Sequence, residues 1–125
     1  DYMRRLNRKV LERLEGSRRL GADATDLRQF SRAAVWSNAR RGDQRGYVKL
    51  HALFDLETGA IREVEATQGS RHESPVLASL LAGVDDLEAF DADPGYLSRR
   101  DLRLVADRGG APYIKPKRNS TLKAR

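Results

Sequence analysis

The sequence predicts an α/β domain: a mixed sheet that starts with three antiparallel strands, continues with parallel strands and is flanked by helices. Three observations predict it. Val48, Leu50, Ala52, Phe54 and Leu56 alternate with Lys49, His51, Leu53 and Asp55, and Glu57-Thr58-Gly59 then returns the chain as a second strand, which makes an antiparallel hairpin. Helical segments separate the later strands, as parallel connections require. Finally, Leu87–Leu104 carries a strand ending at Asp93, a turn at Pro94-Gly95 and a passage through Tyr96 into a helix. A carboxylate at the carboxyl end of a strand stands where open α/β sheets place their chemistry.

From the N-terminus, Met3, Leu6, Val10, Leu11 and Leu14 recur at helical spacing, Arg4, Arg5, Arg8, Lys9 and Arg13 occupy the other side, and Gly16 ends the segment. Ser17-Arg18-Arg19 is a basic connector. Leu20–Leu27 reads as a short strand with Asp23 and Thr25 on one face and Asp26 on the other. Phe30–Gly46 is polar and basic and reads as a loop or flap, with Arg32, Trp36 and the cluster Arg40, Arg41 and Arg45.

Tyr47–Leu56 and Ala60–Gln68 are the hairpin, with Gly59 suited to positive φ and His51 on the polar side. Gly69–Glu73 is a loop. Ser74 caps a helix with Pro75 at its first position, and Val76, Leu77, Leu80, Leu81 and Val84 make its apolar stripe. Asp85-Asp86 are solvated loop residues. After the Leu87–Asp93 strand, Ser98 caps the next helix, with Asp101 in a capping-box position and Leu102, Val105 and Ala106 facing inward. Gly109-Gly110 stop that helix. Ala111–Pro116 is a last short strand, with Lys115, Lys117 and Arg118 as a basic patch at its end.

Composition narrows the chemistry. The chain has 125 residues and a net charge of +6, enough for one domain with a sizeable core. Arginine outnumbers lysine, and arginine is the better fork for phosphate oxygens. With no cysteine and two histidines, disulfides and thiolate sites are excluded, and any metal site is built mainly from oxygen. No run approaches the roughly 18 apolar residues of a membrane span, so the expected compartment is the cytoplasm.

Five stretches, in order, resemble the catalytic domain of DDE transposases of prokaryotic insertion sequences. Asp23-Ala24-Thr25 is similar to the first-strand motif of that family. Val48-Lys49-Leu50-His51 with Glu57-Thr58-Gly59 is similar to the second strand and its turn. Gln68-Gly69-Ser70 through His72-Glu73-Ser74-Pro75 resembles the entry to the first helix, and Ala92-Asp93-Pro94-Gly95-Tyr96 the segment with the second Asp. Pro112-Tyr113-Ile114 with Lys117 and Asn119 resembles the fifth strand and the segment after it. Asp26 stands where the family often has Gly, and Glu73 where Asp is commoner. The family's third acidic residue, a helix-borne Glu after the fifth strand, has no counterpart before Arg125.

The resemblance implies a ribonuclease-H-like sheet in residues 20–125, preceded by a basic amphipathic helix in residues 1–19, with the C-terminal part of the domain expected to be missing. It implies that Asp23 and Asp93 are catalytic and hold Mg²⁺ or Mn²⁺, and that Arg40, Arg41, Arg45, Lys49, Lys115, Lys117 and Arg118 contact DNA. The implied activity is metal-dependent cleavage at element ends with subsequent strand transfer. Its partners would be double-stranded DNA, at the ends and at the target, and a second copy of the chain. A ribonuclease-H-like nuclease and a catalytically dead DNA-binding fragment are the alternatives.

Overall fold

The computed structural model describes residues 1–28, 47–68 and 74–118. Along the chain lie α1 (Tyr2–Arg13), β1 (Arg19–Arg28), β2 (Tyr47–Asp55), β3 (Ile61–Gln68), α2 (Ser74–Leu80), β4 (Ala89–Ala92), a 3₁₀ turn (Pro94–Tyr96), α3 (Arg99–Ala106) and β5 (Ala111–Ile114). The flap expected over Phe30–Gly46, with Arg40, Arg41 and Arg45, lies outside the described residues, as do the Gly69–Glu73 loop and Asn119.

The strands form one sheet in the order β3-β2-β1-β4-β5. β3, β2 and β1 are antiparallel, and β1, β4 and β5 are parallel. The expected ribonuclease-H-like arrangement is therefore the observed one. The hairpin closes through Asp55 N–H to Ala60 O and Gly59 N–H to Asp55 O, with Gly59 at φ +72°. Each parallel crossover carries a helix, α2 before β4 and α3 before β5.

The core lies on one face of the sheet. Leu20, Ala22, Leu53 and Phe90 point into it from the strands, and Val76, Leu77, Leu80, Leu81 and Val105 cover them from α2, the turn after it, and α3. Burying each of the leucine, valine and phenylalanine side chains among these contributes about 1.5–3 kcal/mol. Tyr96, in the 3₁₀ turn, is wholly buried and joins this cluster. Gly110 sits so close to it that a Cβ there would meet Leu87 Cβ at 2.8 Å and Val105 Cγ1 at 3.0 Å.

Three expectations are corrected. On β2 the inward face is His51, Leu53 and Asp55, all buried, rather than Val48, Leu50, Ala52 and Phe54. Alternation favours the wholly apolar Val48, Leu50, Ala52 and Phe54 face, but the buried face is the one that carries Leu53, where the polar His51 and Asp55 are taken up by hydrogen bonds. Packing of α2 and α3 on the Leu20–Ala22 side makes the selection. His51 is thus a core residue, with Nε2 2.8 Å from Thr67 Oγ1. On α3, Ala106 is exposed, and Leu104 packs against the core instead. At 100° per residue Leu104 shares the stripe of Asp101 and Val105. Asp86 is exposed as expected, and in that exposed position Arg18 Nε and Nη2 reach its carboxylate at 2.8 and 2.9 Å. Lastly, α1 buries none of its residues, and Tyr2, Met3, Leu6, Val10 and Leu14 are exposed. It is capped by Asp1 and touches the sheet edge where Asn7 donates to Ile61 O at 2.8 Å. Beside that contact lies an open cavity of about 540 Å³ between Met3–Leu11 and Ile61–Ala66.

Candidate active site

Asp23 and Asp93 are brought together by strand register. β1 and β4 run parallel, with Gly21 opposite Asp91 and Ala22 opposite Ala92. One step further along both strands stand Asp23 and Asp93. Ala22 and Ala92 both face the core, so by alternation the two aspartates point to the other face. Neighbouring strands lie about 4.8 Å apart, a span that two carboxylates can bridge through one cation. Both side chains are exposed.

Each aspartate is held by its own backbone. Asp23 Oδ1 accepts from Ala24 N–H at 2.8 Å, and Asp93 Oδ1 accepts from Gly95 N–H at 2.8 Å. The second bond makes Asp93 the N-cap of the 3₁₀ turn, where Pro94 has no N–H to donate and suits the first position. Among the described residues neither Oδ2 has a hydrogen-bond partner. The sequence at each site thus fixes the carboxylate's direction with one oxygen and presents the other.

The surroundings of the pair are legible from register. On β2, Ala52 stands opposite Asp23, and on β3, Val64 stands opposite Ala52. Both are small or apolar, so the wall beside Asp23 makes no competing ion pair. Gly21, two residues back along β1, leaves space for the Phe54 ring: a Cβ there would lie 3.0 Å from Phe54 Cε2 and Cζ. Past the other side of the pair, β4 and β5 align Ala92 with Ile114. Lys115 is therefore the position next to Asp93, and it is exposed.

The remaining candidate residues divide. Lys117 and Arg118 are exposed on the segment after β5. Lys49 is not brought to the carboxylates: it stands opposite Asp26 and Thr67, on the face that the helices cover. Among the described residues no group of three acidic, histidine or cysteine side chains could hold a metal. Asp23 and Asp93 supply hard oxygen ligands of the kind that Mg²⁺ and Mn²⁺ prefer.

A third carboxylate, Asp55, was expected on the polar side of β2. Instead it is buried, and it accepts from Ser17 N–H at 2.7 Å, Ser17 Oγ at 3.0 Å, Glu57 N–H at 2.9 Å and Thr58 N–H at 3.1 Å. Burial pushes its carboxyl up, but these donors together outweigh burial and hold it below the ordinary value. It ties the connector before β1 to the hairpin turn. The signal in the sequence was an Asp just before a Glu-Thr-Gly turn, a residue that favours bonds to the next backbone amides.

The transposase DDE domain family matches residues 15–125. The chain belongs to that family. DDE domains work with divalent metal ions, in keeping with a site built from oxygen. No curated protein matches the chain. Among solved structures, a chain of the cryo-EM structure of the simian T-cell lymphotropic virus intasome in complex with the PP2A regulatory subunit B56 gamma is similar. It is 18% identical, with a TM-score of 0.49, over 77% of this chain and 31% of its own length. This chain thus spans about a third of that one. No helix among the described residues is long and apolar enough to cross a membrane.

Proposed function

We propose that this DDE domain is the metal-dependent catalytic core of a DNA transposase, with Asp23 and Asp93 as its acidic pair. It cuts the phosphodiester at the ends of a mobile element, and the freed 3′ hydroxyl attacks target DNA. The observation that carries the reading is the register that brings Asp23 and Asp93 to adjacent strand positions on one face, each with one carboxylate oxygen uncommitted among the described residues.

The chain's own residues do three things in this reading. Asp23 and Asp93 present negative oxygen toward one point in front of the sheet, where Mg²⁺ or Mn²⁺ binds. Lys115, beside Asp93 in register, contacts a phosphate oxygen next to the scissile bond, and Lys117 and Arg118 continue that contact. The backbone bonds to Ala24 and Gly95 keep both carboxylates aimed without help from the substrate. When bound, the cation supplies an activated water and neutralises charge on the leaving oxygen. The flap residues Arg40, Arg41 and Arg45 remain candidate phosphate contacts, whereas Lys49 stands on the other face. α1 and the connector through Arg19 lead into the catalytic domain. The partners are duplex DNA and a second copy of the chain on it, in the cytoplasm.

The test is cleavage of a labelled duplex carrying an element end by the complete protein in Mg²⁺ or Mn²⁺. Asp23→Asn and Asp93→Asn should each abolish it, with folding unchanged. Retained cleavage in either variant removes that residue from the site. Strand transfer is scored in the same reaction, because a nuclease would leave hydrolysed ends and no joined product.

A further inference from the structure

The outward side of α3 carries Arg99, Arg100 and Arg103, all exposed. With Leu104 and Asp107 they line an open depression of about 400 Å³. α3 packs beside β5, where Leu104 and Ile114 both rest on the core, and β5 leads directly into Lys115, Lys117 and Arg118. Six cations therefore lie on two neighbouring elements, and of the two acids there Asp101 is buried, which leaves Asp107 as the exposed one.

None of the six has an ion-pair partner among the described residues. Arg108, at the end of the same helix, shows the contrast: its Nε donates to Val84 O at 2.8 Å and its Nη1 to Leu104 O at 2.9 Å. Arg108 is spent on the fold, whereas Arg99, Arg100 and Arg103 are not. Like charges three and four residues apart on a helix repel one another, and no intramolecular ion pair among the described residues offsets that cost here. A polyanion would offset it.

Geometry favours DNA over an acidic protein. Four residues of helix rise about 6 Å, so Arg99 and Arg103 can span neighbouring phosphates of one strand, whose charges recur about every 3.4 Å along the axis. Guanidinium forks bind phosphate oxygens in pairs. A protein partner would require an apolar centre in the patch, and the half-buried Leu104 of the depression and the single exposed Tyr113 of β5 do not make one. The 3₁₀ turn and Ser98 connect Asp93 to Arg99, so the arginines begin at the carboxylate end of the sheet.

We propose that the outward side of α3 and the segment after β5 form one phosphate-contacting track, along which duplex DNA runs from the carboxylate pair around the β5 edge. It rests on the reading of the domain as one that acts on DNA. It adds Arg99, Arg100 and Arg103 as contacts on a helix that lies across the sheet from the carboxylates.

The experiment measures binding of the complete chain to a fluorescent duplex of arbitrary sequence, by anisotropy, in EDTA and at several salt concentrations. Replacing Arg99, Arg100 and Arg103 together by Gln should lower the slope of log affinity against log salt by about 2–3, the loss of three phosphate contacts. An unchanged slope overturns the proposal. If the Gln variant does not fold, the Arg→Lys triple variant decides. Its slope should be kept while affinity falls several-fold, because the fork is lost but the charge remains; unchanged affinity overturns the track. A polyglutamate peptide that competes as well as duplex at equal charge also overturns it, in favour of an acidic protein partner. Failure of the transposase reading would appear separately, as cleavage retained by Asp23→Asn, and leaves this binding assay unaffected.

Discussion

Asp55 and the pair Asp23 and Asp93 are the same residue type on opposite faces of one sheet, and Asp55 on β2 stands opposite Leu20, only three positions before Asp23 on β1. Asp55 is buried under the helices and saturated by four donors from Ser17, Glu57 and Thr58. Asp23 and Asp93 are exposed and accept one backbone bond each. The difference teaches where a carboxylate's charge goes. On the covered face it is used up in holding a connector and a turn. On the other face it is left available to a cation.

The largest effect that would break this comparison is on cleavage. Asp23→Asn or Asp93→Asn should reduce metal-dependent DNA cleavage by about three orders of magnitude or more, the scale of the charge stabilisation a bound cation supplies. The thermal midpoint should stay where it is, which calorimetry checks. Asp55→Ala should do the reverse. It leaves the Ser17, Glu57 and Thr58 donors without their acceptor and should cost about 3–5 kcal/mol in urea unfolding.

Smaller effects sharpen the comparison. Gly110→Ala forces Leu87 and Val105 apart on the covered face and should cost about 1–3 kcal/mol. Ser98→Ala removes the bond that Ser98 Oγ accepts from Asp101 N–H at 3.0 Å, for a loss of about 1 kcal/mol. The pH dependence separates the carboxylates further. Asp55 is held below its ordinary value of 3.8 in the folded protein, so its stabilisation is fully present above that value and is lost as pH falls through the lower folded one. Thermal midpoints measured from about pH 7 down to about pH 3 should fall at the acid end, and Asp55→Asn should flatten that part of the curve.

Much of this was legible along the chain. The hairpin was readable because a Gly suited to positive φ comes after a regular alternation. The stripe of α2 was readable because its leucines and valines keep helical spacing. Asp93 was readable as a strand-end carboxylate because Pro94-Gly95 marks where β4 must stop. The inward face of β2 was not readable, since the alternation pointed to Val48, Leu50, Ala52 and Phe54, and only partners remote in sequence, Thr67 for His51 and Ser17 for Asp55, let the more polar face be buried. Nor was the exposure of α1, whose sequence is as amphipathic as that of a packed helix.

By itself the sequence determined the elements, their order and the two acidic strand positions, because periodicity, caps and turns are local properties. Only the tertiary structure decided that Asp23 and Asp93 share a face while Lys49 does not, and that Asp55 is the carboxylate buried by the helices. Register between strands remote in sequence is set by which side chains the helices cover, and no local pattern encodes that.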